Sequence, residues 1–77
     1  MNKRNIDVVI IDSCDNDLEP FHCGFYFRNV FDLDKKIDKY IIEVLNLSRV
    51  EVTIDDYNDE LTEEEVEWLD EKGYYFQ

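Results

Sequence analysis

Glycine and proline are scarce in this 77-residue chain, at two and one respectively. That scarcity argues against disorder, because disordered chains are enriched in both. Cysteine is scarce as well. Cys14 and Cys23 are too few for the disulfide framework of a small secreted domain, so both are read as reduced thiols. The longest uninterrupted apolar run, Val8-Val9-Ile10-Ile11, falls far short of the roughly 20 residues that cross a bilayer. No apolar leader with a small-residue cleavage site is present, so the expected location is the cytoplasm. Base is the last shortage. Eight Lys and Arg stand against 20 Asp and Glu, a formal net charge of −12. Such a surface repels nucleic acid and anionic membrane and attracts basic proteins and cations. It also exceeds the magnitude of about 2–8 that suits a small domain for solubility alone.

Aromatic residues are plentiful by contrast. Five Phe and five Tyr in a chain with 44% hydrophobic residues predict a packed core rather than disorder. The length allows one domain, 1–77.

Residues 5–12 read as a strand. Ile6, Val8 and Ile10 share one side, and Val9 and Ile11 join Asp7 on the other, which places this strand centrally. The run 13–20 has turn chemistry. Residues 23–28 read as a second strand, with Phe25 and Phe27 alternating with Tyr26 and Arg28. Asp32 or Asp34 then caps a helix running to about Asn46, with a stripe of Leu33, Ile37, Tyr40, Ile41, Val44 and Leu45. Residues 49–55 form a third strand with Val50, Val52 and Ile54 on one side. A loop over 56–60 leads to a second helix. Thr62 and Glu65 match a capping box there, with Leu61 and Val66 at the staple positions. Gly73 ends that helix. The tail 74–76 is able to form a short edge strand.

The expected fold is α+β: a small, mainly antiparallel three-stranded sheet in the order 2-1-3, built ββαβα, with two helices on one face.

Charge is unevenly spread. Residues 1–49 hold nine acids and seven bases, whereas residues 50–77 hold eleven acids and one base, Lys72. Asymmetry of this kind points to an interaction surface. Glu60, Glu64, Glu67 and Glu71 step by four, three and four residues, so they predict a row along the second helix, with Glu63 and Asp70 at its margins. Each step advances about 4.5–6 Å along the axis. Nucleotides of one DNA strand advance about 3.4 Å, with their phosphates somewhat further apart through space. The row therefore approximates part of a phosphate backbone. Asp55, Asp56 and Asp59, with Glu51, extend it. Glu67, Asp70 and Glu71 approach the negative end of the helix dipole, where a helix selected for stability alone would carry Lys or Arg. Trp68, Tyr57, Tyr74, Tyr75 and Phe76 are the aromatic candidates beside it. Alternation turns one of Tyr74 and Tyr75 outward, and Tyr74 is taken as the anchor. Trp68 is expected to close the core against Leu69 and Phe76.

In size and charge, residues 51–71 resemble the DNA-mimic inhibitors of phages and other mobile elements, such as anti-CRISPR and anti-restriction proteins and inhibitors of uracil-DNA glycosylase. The resemblance rests on no shared motif and transfers no residue role. It implies a protein partner that is basic and binds nucleic acid, a nuclease or CRISPR effector, blocked in the host cytoplasm. It implies no direct contact with nucleic acid or membrane. The same charge suits an antitoxin or immunity protein for a basic nuclease toxin, or a regulatory protein-interaction domain.

Other chemistries are less well formed. Asp56, Asn58, Glu60 and Glu67 fall at EF-hand positions, but Leu61 replaces the turn glycine. Cys14, His22 and Cys23 lack zinc-site spacing. The carboxylates Asp12, Asp15, Asp17 and Glu19 are accompanied by no phosphate-binding or nucleophile motif. The expectation is a non-enzyme without cofactor or metal.

Overall fold

The computed structural model describes residues 4–14, 17–56 and 59–77. Alternation along the first strand, β1 (Arg4–Asp12), puts Ile6, Val8 and Ile10 in the core. β2 (Phe21–Phe27) runs antiparallel to it, with Val8 opposite Cys23. β3 (Val50–Asp55) lies antiparallel on its other side, with Val8 opposite Ile54. A fourth strand, β4 (Tyr75–Phe76), pairs parallel with β3. The sheet is thus four-stranded and mixed, in the order β2-β1-β3-β4. The three-strand expectation is corrected by β4, which the sequence offered only as a tail able to pair.

Two helices cover one face. α1 (Val30–Lys39) buries Val30, Leu33 and Ile37, and α2 (Glu63–Glu71) buries Leu69. These side chains join Phe27, Ile41, Val52, Ile54 and the β1 residues in one core. Burying each apolar side chain of this size contributes about 1.5–3 kcal/mol, and this is the main term holding the layers together.

The first helix differs from expectation at both ends. Its cap is Asn29, whose side chain accepts the Asp32 N–H at 2.9 Å. Asp32 instead receives the Arg28 N–H, which holds its carboxyl below the usual range. The helix also does not run regularly to Asn46. From Tyr40 to Leu45 it widens into a π-helical segment, closed by Asn46 in the left-handed conformation at φ 55°. Ile42 and Val44 face solvent there, so Val44 leaves the expected buried stripe. β2 begins at Phe21, two residues earlier than the alternation suggested.

α2 ends where a glycine is needed. Gly73 has φ +99°, its N–H reaches the Asp70 carbonyl, and the Tyr74 N–H reaches that of Leu69. This paired closure is the Schellman arrangement. No helix among the described residues is long and apolar enough to cross a membrane.

Candidate functional site

The acidic segment begins with a turn that its own carboxylate builds. Asp56 accepts the N–H groups of Glu60 and Leu61 at 2.8 and 3.0 Å. The backbone passes through the left-handed region at Asp59, φ 52°. Arg4 clamps this turn from β1. Its guanidinium donates to the Glu60 carbonyl at 2.9 Å and to both Glu65 oxygens at 2.6 and 2.8 Å. Glu65 also completes the capping box with Thr62. The bond from Arg4 chiefly holds the Glu65 carboxyl below its ordinary range, and the same bond raises Arg4. Two of the segment's acids, Asp56 and Glu65, are therefore structural.

The expected row is consequently shorter. Glu60 precedes α2 and sits half-buried in the turn, so it does not continue the helical spacing. Glu63, Glu64, Glu67, Asp70 and Glu71 are all exposed on α2. None of the five forms an ion pair among the described residues. Lys72, which caps the C-terminus of α2, lies over the Trp68 ring with its ammonium 5.1 Å from the centroid. Beside the first turns, a hollow of about 400 Å³ has Leu61 and Val66 in its lining and Asp56, Asp59, Glu63 and Glu67 around them. An acidic rim over an apolar floor accepts a long basic side chain, whose stem is apolar and whose head is cationic.

Asp55 belongs elsewhere. It alternates with Ile54 and so turns to the face the helices leave open, opposite Asp7. Those two residues, with Val9, His22, Gly24 and Gln77, line a second hollow of about 360 Å³. Glu51 points to the same open face and is exposed.

Tyr74 is not the outward tyrosine of the tail. Its hydroxyl donates to Asp34, and burial, aided by that bond, pushes the phenol above its ordinary range. Tyr75 is the outward residue, with 57% of its surface exposed. Trp68 packs edge-on against Phe31 of α1, with the ring centroids 4.8 Å apart, while Phe76 lines the sheet side of the core. Tyr57, Asn58 and Asp15 lie outside the described residues.

The remaining candidates separate in space. His22 and Cys23 are neighbours on β2, so they point to opposite faces of the sheet and do not converge on one ion. Asp12 accepts the Cys14 N–H at 2.9 Å.

The Arg4–Glu65 clamp was not anticipated. Its signal was available, because Arg4 shares the parity of Ile6, Val8 and Ile10 and so points toward the core layer, where a cation needs a partner. No known protein family, curated protein or solved structure matches the chain.

Proposed function

We propose that this protein is an acidic inhibitor that occupies the nucleic-acid channel of a basic protein, with α2 taking the place of a run of phosphates. The observation that carries the reading is the set of five exposed α2 acids with no ion-pair partner among the described residues. Like charges at these spacings destabilise a helix by a few tenths of a kcal/mol per pair. The molecule bears that cost on a helix already fastened by a capping box, an arginine clamp and a buried leucine. A helix fastened in this way leaves only side-chain freedom to be lost when a cationic surface closes on it. The acidic hollow at Leu61 and Val66 supplies a place for one arginine or lysine of the partner.

The test is affinity capture from host lysate, washed at rising salt, with the captured protein then challenged with duplex DNA. A basic nucleic-acid-binding protein should be retained at about 0.1 M salt and released well before about 1 M, as the screening length shrinks from about 10 to about 3 Å. Duplex DNA should displace it. Glu64→Lys with Glu67→Lys should weaken binding by about 100-fold. Asp38→Lys with Glu43→Lys, on the first helical stretch, raises the formal charge by the same four units, from −12 to −8, and should cost less than about threefold. Equal losses from the two double variants would show that net charge, rather than α2, is recognised.

A further inference from the structure

Acid is almost everywhere on this chain except at one margin of the sheet. Residues 20–31 contain no Asp or Glu, the longest such stretch in the sequence. They include the whole of β2, which is the outer strand beyond β1. β2 reads Phe-His-Cys-Gly-Phe-Tyr-Phe, with no Pro, Lys or Arg. Its seven pairs with β1 are consecutive, without a bulge. Proteins usually guard such an edge with charge, proline or a bulge.

The hydrogen-bond parity of this edge follows from two observations. The Ser13 N–H bonds to the Arg49 carbonyl, so the odd-numbered residues of β1 turn their backbone groups toward β3. The even-numbered ones, Ile6, Val8 and Ile10, then bond to Phe25, Cys23 and Phe21. That leaves the N–H and C=O groups of His22, Gly24 and Tyr26 pointing away from the sheet. In agreement, the Lys36 ammonium reaches the Tyr26 carbonyl at 2.6 Å.

We propose that β2 pairs antiparallel with β2 of a second copy, about a two-fold axis at Gly24, to give a continuous eight-stranded sheet. The register sets His22 opposite the partner's Tyr26 and Gly24 opposite its counterpart. All seven residues of β2 then pair, and both helical layers lie on the same side. The strand's own side chains select this occupant. In the two-fold register imidazole meets phenol and phenyl meets phenyl with no like charges opposed, and the nearest carboxylate, that of Asp7 beside Gly24, stays on β1, one strand in from the seam. The ammonium of Lys36 must release the Tyr26 carbonyl as the ladder forms. This pairing is independent of what α2 binds, and its salt dependence has the opposite sign. Self-association has to overcome repulsion between two acidic bodies, so salt strengthens it.

The experiment is sedimentation equilibrium of the full chain at about 0.05 and about 0.5 M salt. One added strand pair makes a small interface, so a dimer with Kd on the order of 10–100 µM is expected, at least about threefold tighter at the higher salt. His22→Glu with Tyr26→Glu places acids opposite each other across the axis and should give a monomer. Both side chains are exposed, so circular dichroism and the melting temperature should hold. His22→Glu with Tyr26→Lys sets opposite charges face to face and should restore the dimer. A wild-type chain that stays monomeric at both salts overturns the proposal. So does a dimer that both charge variants leave unchanged.

Discussion

The two helices lie on the same face of the sheet and each is N-capped by a side chain, yet their surfaces differ. On the first, acids and bases pair four residues apart: Asp32 with Lys36 at 3.3 Å, and Lys39 with Glu43 of the π-helical segment at 3.9 Å. Lys36 and Lys39 stand in its last turn, where the dipole favours cations. α2 carries three acids in its first turn and no base in its last. Both solve the packing problem, but only α1 also balances its surface. The imbalance of α2 is therefore not a requirement of this fold.

Removing the anchors tests whether the two helices really are equivalent below the surface, and it should have the largest effect. Leu33→Ala and Leu69→Ala each empty a fully buried site and should each cost about 2–5 kcal/mol in urea unfolding. A much smaller cost at Leu69 would mean that α2 is held by its polar clamp instead.

That clamp comes next. Glu65→Gln should cost about 1–2 kcal/mol, because it removes the bidentate partner of Arg4. The folded state lowers the Glu65 pKa, so the contribution is fully present above the ordinary glutamate range, near pH 4.3, and is lost as pH falls through that range and below. The variant should accordingly show a shallower loss of stability in acid than the wild type. Identical acid limbs would remove Glu65 from the account.

The surface difference itself should have the smallest effect on stability and the clearest sign. Glu67→Lys with Glu71→Lys gives α2 the pattern of α1 and should raise stability by about 0.5–1 kcal/mol at low salt. The gain should shrink at high salt. A loss instead would show that these acids support the fold, and the binding argument would lose its premise.

Much of this architecture was legible where the cause is local. The Thr62–Glu65 box, the Gly73 stop and the alternation of Val50, Val52 and Ile54 each depend on residues a few positions apart, and each appears in the structure. Choices between rival local partners, and those made by distant residues, were not legible. Asp32 looked like a cap, but the turn after β2 brings Asn29 into that role and gives Asp32 the Arg28 N–H instead. Glu60 matched the helical spacing, yet Asp56 and Arg4 hold it in a turn. Arg4 and Glu65 are 61 residues apart, and no periodicity links them. The π-helical segment hid in a stripe that was apolar on too many sides to fix its phase. The acid row was legible as composition. Its division into structural and free carboxylates required the tertiary contacts.

The junction between the two helices has an optical consequence. Trp68 is the chain's single tryptophan, set on α2 with Phe31 of α1 against its ring and the Lys72 ammonium above it. Its emission therefore reports on one place, the seam where the balanced helix meets the acidic one. Anything that settles on Glu64, Glu67 or Glu71 arrives within one helical turn of that ring. The unmodified protein thus carries its own fluorophore for titrations, and loosening of the seam can be followed separately from melting of the sheet.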